Sequence, residues 1–195
     1  MLDYSDNVKF WNSRYRTDPS FFDWYFDVTH CSSFKDELSK HIPLSSTILI
    51  AGNGTSRLPF QLSKMGYSSL VSLDFSPVSI EIMNSFSPSL QGVAFQLGDL
   101  RNIPFPPSHF DAVIDKATLD SMFCSAKAKQ NVDLYLSQVF SVLKTGSVYI
   151  SISFLPPSER SSLFPAEKWE LEVVEIPKVL EDSTGSFFVY IAKKI

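Results

Sequence analysis

The strongest constraint on the fold is a short, continuous apolar run that leads directly into a glycine loop. Residues 47–51, Thr-Ile-Leu-Ile-Ala, are almost wholly apolar. This pattern is typical of a strand buried on both faces of a parallel sheet. The loop that follows is Gly52-Asn53-Gly54. Glycines there let the backbone turn tightly and approach a ligand without an intervening Cβ. The feature therefore indicates a ligand-binding α/β sheet.

Strand and helix patterns alternate along the rest of the chain. Strands are predicted over residues 47–51, 69–73, 93–97, 111–114, 147–154, 169–176 and 186–192. Helices are predicted over residues 56–64, from Ser76 and Pro77 onward, and over residues 130–144, from capping residues and apolar spacing. The last two strands have no clear long helix between them, which favours an antiparallel pair. The predicted fold class is α/β, a mostly parallel seven-stranded sheet with a reversed last strand and helices on both faces.

Length and composition limit the class of protein. The chain has 195 residues, a hydrophobic fraction of 44% and a net charge of −4, as expected for one folded domain. We divide residues 1–195 into an N-terminal segment (1–45), a core (46–155) and a C-terminal strand pair (156–195). The small acidic charge argues against nucleic acid as a partner. We expect a monomer.

Targeting signals and metal ligands are not evident in the sequence. The N-terminus lacks a basic region followed by an apolar run, and no apolar stretch approaches membrane-spanning length. The two cysteines, Cys31 and Cys124, form no CxxC pair, and the three histidines do not cluster. We therefore expect no membrane span, no metal site and a cytoplasmic location.

Acidic residues end the three strands that follow the glycine loop. Asp74 can accept hydrogen bonds from both hydroxyls of an adenosine ribose, and Asp99 can accept from an adenine amino group. Asp115 ends the fourth strand. The alternative for each is an ordinary turn residue, but ligands of open α/β sheets bind beyond the carboxyl ends of the strands, where all three converge. Arg57 replaces the third glycine of a dinucleotide fingerprint, which disfavours NAD.

Several segments carry a family resemblance. They are residues 11–15 (Trp-Asn-Ser-Arg-Tyr), 22–25 (Phe-Asp-Trp-Tyr), the glycine loop, 74–76 (Asp-Phe-Ser) and 115–120 (Asp-Lys-Ala-Thr-Leu-Asp). In this order they resemble the small eukaryotic class I methyltransferases that methylate lysines of translation elongation factor 1-alpha. The resemblance covers about residues 8–155. It implies a Rossmann-like class I methyltransferase sheet and S-adenosyl-L-methionine as cofactor.

The resemblance also implies that the N-terminal segment (1–45) is a cofactor-covering segment, and it implies which residues contact the cofactor. They are Trp11, Tyr15, Trp24, Gly52, Gly54, Asp74, Phe75, Asp99, Leu100 and Lys116. Aromatic faces can attract the sulfonium cation, at about 0.5–2 kcal/mol. The alternatives are that the three aromatic residues belong to the core of an N-terminal helix and that Lys116 is structural. Arg14 pairs either with the methionine carboxylate or with the fold.

Three positions depart from the family pattern. Asn53 and Thr55 replace residues that the family prefers in the loop, and Ala117 replaces a glycine. A positive φ at Ala117 would cost about 1 kcal/mol or more. The segment after Asp120 is also shorter than in familiar members, which leaves the substrate less constrained than the cofactor.

The predicted function is a methyltransferase that acts on protein lysine, with a translation factor as one expected substrate. A lysine nucleophile must arrive neutral, and Asp115 and Asp120 are the candidate catalytic residues that orient it or accept its proton. Two alternatives stay open. One is a methyltransferase for a small molecule or another side chain, and the other is a catalytically silent methyltransferase-like binding domain.

Overall fold

The computed structural model describes residues 7–86, 90–178 and 185–195. The strands are β1 (Ile48–Ala51), β2 (Leu70–Asp74), β3 (Val93–Leu97), β4 (Phe110–Lys116), β5 (Leu143–Ser153), β6 (Trp169–Pro177) and β7 (Ser186–Lys194). The helices are α1 (Val8–Thr17), α2 (Ser32–His41), α3 (Leu58–Lys64), α4 (Pro77–Ser85), α5 (Thr118–Phe123), α6 (Ala128–Val142) and α7 (Pro157–Arg160).

The seven strands form one sheet in the order β3-β2-β1-β4-β5-β7-β6. Strands β1 to β5 pair in parallel, whereas β7 is antiparallel to both β5 and β6. The predicted fold class, including the reversed last strand, is confirmed. The order reverses at β1, where β2 lies on one side and β4 on the other, and ligands of open α/β sheets bind at such a switch point.

Apolar side chains cover both faces of the sheet. On one face, α6 packs Val132, Tyr135 and Val139 against the strands. On the other face, α2 and α3 contribute Phe34 and Leu58 among their buried residues. The central strand β1 is buried along its whole length, which explains its continuous apolar sequence. Among the described residues, no helix has the length and apolar character needed to cross a membrane.

The boundary between α6 and β5 differs from the prediction. The helix ends at Val142 and β5 begins at Leu143, four residues before the predicted strand. Gly146, which was expected to end the helix, has φ +78° within the strand. The fully buried Leu143 explains the early change, because its side chain packs into the core beside Val142.

Two helices near the N-terminus were given no bounds by the sequence patterns, although an N-terminal helix was the alternative for the aromatic residues Trp11, Tyr15 and Trp24. Helix α1 is capped by Asn7, whose side chain accepts a hydrogen bond from the Phe10 N–H. Helix α2 buries Phe34 and Leu38, which lie one turn apart. Each helix has 10 residues and is more polar on average than the 15-residue α6, so apolar residues give it a weaker sequence signal.

Candidate functional site

A cavity of about 310 Å³ lies at the carboxyl edge of the parallel strands. It is bounded by the glycine loop, the ends of β2 and β4, and the N-terminal segment. All ten residues predicted to contact the cofactor line this cavity: Trp11, Tyr15, Trp24, Gly52, Gly54, Asp74, Phe75, Asp99, Leu100 and Lys116. Asp120 lines it as well, but Asp115 does not.

The two glycines of the loop hold left-handed conformations in close contact with other segments. Gly52 has φ +67°, and a Cβ there would lie 2.4 Å from Thr118 Oγ1. Gly54 has φ +54°, and a Cβ there would lie 2.4 Å from the Tyr15 hydroxyl oxygen. Both positions therefore require glycine, for backbone conformation and for space. The loop is packed between α5 on one side and α1 on the other.

Asp74 is fixed by the backbone around it. Its Oδ2 accepts from the Gly54 N–H at 2.8 Å, and its Oδ1 accepts from the Ser76 N–H at 2.8 Å. Burial raises the pKa of this carboxyl, while the backbone hydrogen bonds oppose that shift. Each carboxylate oxygen has two acceptor sites, so Asp74 keeps acceptor capacity for two hydroxyl groups of a ligand.

Asp99 forms the cavity wall beyond β3 and is held by an arginine. Arg101 donates to both carboxylate oxygens, with Nη2 2.7 Å from Oδ2. Burial raises the pKa of Asp99, but the hydrogen bonds from Arg101 outweigh burial and hold the pKa below its ordinary value. Leu100 is buried beside it. Asp99 therefore stays charged in a fixed orientation, with acceptor capacity left for a donor such as an amino group.

The aromatic side chains of α1 cover the glycine loop. The rings of Trp11 and Tyr15 stack, with centroids 5.8 Å apart. Tyr15 is buried, and burial raises the pKa of its hydroxyl far above the ordinary value. Both rings line the cavity as well as packing against each other.

Lys116 is tied to the N-terminal segment through Asp23. Its Nζ lies 2.5 Å from Asp23 Oδ1 and donates to the Phe26 carbonyl oxygen at 3.0 Å. Asp23 also accepts from the Ser56 hydroxyl and from the Arg57 N–H. Burial lowers the pKa of Lys116, and Asp23 opposes the shift. These contacts, which we call the clasp, join the covering segment at Asp23 to β4 at Lys116 and to the residues just after the glycine loop.

Asp115 occupies a different place from the one expected of a catalytic residue. It is fully buried, and its carboxylate accepts hydrogen bonds from the hydroxyls of Tyr135, Tyr149 and Ser151. Burial raises its pKa to about 7. The carboxyl faces Tyr135 of α6 within the core and does not line the cavity. Proximity to the strand end was the only sequence signal for Asp115, and that signal does not give the direction of a side chain.

Asp120 lies in the cavity wall, and four donors occupy its carboxylate. Oδ1 accepts from Ser153 Oγ at 2.7 Å and from Arg160 Nη2 at 2.8 Å. Oδ2 accepts from the Tyr25 hydroxyl at 2.5 Å and from the Phe154 N–H at 3.3 Å. A carboxylate with this many donors is a better positioning group than a proton acceptor.

Ala117 has the strained conformation that the sequence comparison suggested. Its φ is +71° and its ψ −2°, and it precedes the first residue of α5. Left-handed backbone costs a residue with a Cβ about 1–2 kcal/mol. The turn matters for the site, since it directs Thr118 to donate from Oγ1 to the Ala51 carbonyl oxygen under the glycine loop.

The cavity also has wall residues that the sequence analysis did not select. They are Phe22, Tyr25, Arg101, Ser121, Met122, Cys124, Asn131 and Phe154. Arg14, which was considered, lies with its guanidinium carbon 4.6 Å from the Phe22 ring and 5.8 Å from the Trp24 ring. Most of these residues are far from the glycine loop in sequence, and only tertiary packing brings them to it.

The fold and the cavity together define a class I methyltransferase, because the sheet has the switch point and reversed last strand of that class. The chain belongs to the methyltransferase-domain family, whose match covers residues 45–184. The solved structure of a SAM-dependent methyltransferase from Methanosarcina mazei superposes with a TM-score of 0.70 at 17% identity. That superposition covers 89% of this chain and 99% of the other.

Sequence relatives carry more specific names. The mouse EEF1A lysine methyltransferase 4 is 28% identical over 84% of this chain and 67% of its own length. The human eEF1A lysine and N-terminal methyltransferase is 30% identical over 80% of this chain and 23% of its own length. The bovine EEF1A lysine methyltransferase 4 is 27% identical, and 63% of it is covered. The chain thus spans from about a quarter to two thirds of these relatives.

The methyl donor of this class is S-adenosylmethionine, and the residues of the cavity fit it. Gly52 and Gly54 leave space that a Cβ would fill. Asp74 keeps acceptor capacity for ribose hydroxyls. Asn53 lines the cavity, and its Oδ1 is buried without a hydrogen-bond partner among the described residues. A donor such as the ammonium group of the methionine half would satisfy that oxygen.

Proposed function

We propose that the chain is an S-adenosylmethionine-dependent methyltransferase that modifies lysine side chains of a protein. The observation that carries the proposal is the meeting of all resemblance segments in one cavity. The covering segment, the glycine loop, the Asp74 turn and the Lys116–Asp120 turn all border it. These segments are far apart in sequence, and relatives that match most of the chain are named EEF1A lysine methyltransferase 4 and eEF1A lysine and N-terminal methyltransferase.

The glycine loop and the acidic residues after β2 and β3 form the floor of the cavity, and they bind and orient the cofactor. We assign Asp74 to the ribose hydroxyls, Asp99 and Leu100 to the adenine, and the Trp11 and Tyr15 rings to the sulfonium end. Bound cofactor supplies a methyl group already activated by positive sulfur. The protein therefore needs to place a nucleophile in line and at near-attack distance rather than to generate a reactive group.

The lysine nitrogen has to lose a proton before it attacks. The electron pair that this proton leaves forms the new N–C bond, while the pair of the S–C bond stays with sulfur. The cavity mouth is open to solvent at Trp24 and Phe154, which are 42% and 50% exposed, so water there accepts the proton. We assign Asp120 a positioning role, because its four donors already occupy it.

Transfer of labelled methyl groups tests the proposed function. Purified chain, labelled S-adenosylmethionine and recombinant elongation factor 1-alpha are combined, and the labelled residues are mapped by mass spectrometry. We expect label on lysine and none with the Asp74→Ala variant, which lacks the ribose acceptor. Label confined to other residues or to small molecules contradicts lysine specificity. Binding of cofactor without any transfer to protein or to lysate components contradicts an enzymatic role.

A further inference from the structure

Two aromatic rings at the cavity mouth are fixed by one carboxylate oxygen. Asp120 Oδ2 accepts from the Tyr25 hydroxyl at 2.5 Å and from the backbone N–H of Phe154 at 3.3 Å. The two ring centroids are 6.2 Å apart, and both rings line the cavity. We call Tyr25 and Phe154 the tethered pair.

The backbone of Tyr25 is strained to bring its ring to this place. Its φ is +66°, which is a rare and strained conformation for a bulky residue. The hydroxyl tether to Asp120 and the ring contact with Phe187, 5.0 Å between centroids, hold it there. Strain of this kind is retained where the surrounding structure fixes a side chain for a purpose.

The acidic groups near the tethered pair are already paired with basic groups, so the pair presents the faces of its two rings to a ligand. Arg160 pairs with Asp120 at 2.8 Å, and Lys116 pairs with Asp23, so neither acid presents an unpaired charge to the mouth. Arg14 lies over the rings of Phe22 and Trp24, and the Trp24 ring centroid is 6.4 Å from that of Tyr25. That contact shows that rings at this mouth bind a cation. Phe154 is 50% exposed, so its face is accessible to a side chain entering from solvent.

We propose that Tyr25 and Phe154 form the subsite that receives the substrate lysine side chain and select for its cationic head. The aliphatic stem of an incoming lysine packs on the rings, and its ammonium group interacts with their π faces. The nitrogen then loses its proton to water at the mouth and attacks in its neutral form. Tyr25 and Phe154 are thereby specificity-determining residues. This inference rests on the proposed lysine methyltransferase function.

Binding of a small lysine probe tests the subsite without requiring catalysis. Nα-acetyl-lysine methylamide and its neutral norleucine counterpart are titrated into the chain saturated with S-adenosylhomocysteine, and chemical-shift changes are followed by NMR. We expect the lysine probe to bind more tightly than the norleucine probe. The Phe154→Leu variant should lose affinity for lysine by about 2–5-fold, the size of an exposed cation–π contact.

A matched control separates this effect from a general loss of surface aromatics. Phe86 is 49% exposed, packs on Phe21 and lies outside the cavity, so Phe86→Leu should leave binding of the lysine probe unchanged. Tyr25→Phe keeps the ring but removes the tether. It should raise KM for a protein substrate more than it lowers kcat, with the affinity for S-adenosylhomocysteine unchanged.

The outcomes for the subsite and for the proposed function are distinguishable. Equal binding of the two probes, or wild-type affinity for lysine in Phe154→Leu, overturns the subsite even if the chain methylates protein lysine. Selective probe binding that Phe154→Leu weakens supports the subsite even if elongation factor 1-alpha is not a substrate. A wild-type KM and kcat for Tyr25→Phe would remove Tyr25 from the proposal.

Discussion

The floor and the mouth of the cavity are built in different ways. In the floor, Gly54 meets Asp74 across 20 residues of chain, because adjacent parallel strands end at the same edge. In the mouth, Lys116 meets Asp23 across 93 residues, and Tyr25 meets Asp120 across 95. Strand register therefore fixes the floor, whereas individual long-range side-chain contacts fix the mouth. In the proposed function, the floor holds the cofactor and the mouth receives the substrate.

The largest expected effect is the loss of cofactor binding when a methyl group is added at Gly52 in the floor of the cavity. Gly52→Ala places a Cβ 2.4 Å from Thr118 Oγ1 on a backbone with φ +67°, so we expect S-adenosylhomocysteine affinity to fall by more than about 10-fold, equivalent to 1.4 kcal/mol. Isothermal titration calorimetry measures it. Gly146→Ala is the matched control, since Gly146 also has positive φ but a Cβ there meets nothing within 4 Å. Similar affinities for the two variants would contradict the steric argument.

Breaking the clasp between Asp23 and Lys116 should have the next largest effect, in this case on the free energy of unfolding. Their side chains are 11% and 3% exposed, and removing one partner leaves a buried charge unpaired. A double-mutant cycle with Asp23→Asn, Lys116→Met and the double variant should show a coupling free energy of about 1–3 kcal/mol in chemical denaturation. The single variants should also bind cofactor more weakly, since the covering segment loosens. Additive effects would show that the clasp does not join the mouth to the floor.

The pH dependence of stability distinguishes Asp115 from the exposed acids of the surface. Its pKa is about 7 in the folded chain, against an ordinary value of 3.8. Because the folded state binds the proton more tightly, the contribution of Asp115 to stability is complete below pH 4 and is lost as the pH rises through 7. The unfolding free energy of the wild type relative to Asp115→Asn should therefore fall between pH 4 and 7, by up to about 1.4 kcal/mol per pH unit. A pH-independent difference would contradict this assignment.

The smallest expected effect is a gain in stability at the turn after β4. Ala117→Gly relieves the strain of a φ of +71°, partly offset by the greater freedom of glycine in the unfolded chain. We expect a net gain of about 0.5–1 kcal/mol in urea denaturation, with cofactor affinity unchanged. A loss of stability would mean that the Ala117 methyl group contributes packing that exceeds the strain.

The contrast between the floor and the mouth also explains which features of the fold and the site could be predicted from the sequence. The seven strands and the mostly parallel sheet with its reversed last strand follow from the apolar runs. The acidic residues of the floor follow from the position of each acid at the end of a strand. The direction of the Asp115 side chain did not follow, because its contact with α6 is made by Tyr135, which is 20 positions away in sequence. The contacts of Tyr25 and Asp23 did not follow either, since a positive φ at a tyrosine and a buried ion pair have no local sequence signal.

Cofactor binding by the purified chain tests the central claim most directly. Calorimetric titration with S-adenosylhomocysteine should give saturable binding at one site, and the ligand should raise the melting temperature because it binds the folded state. Asp74→Ala should abolish both effects, while Phe154→Leu should retain them. An absence of binding and of stabilisation in the wild type would contradict the assignment of this cavity to an S-adenosyl cofactor.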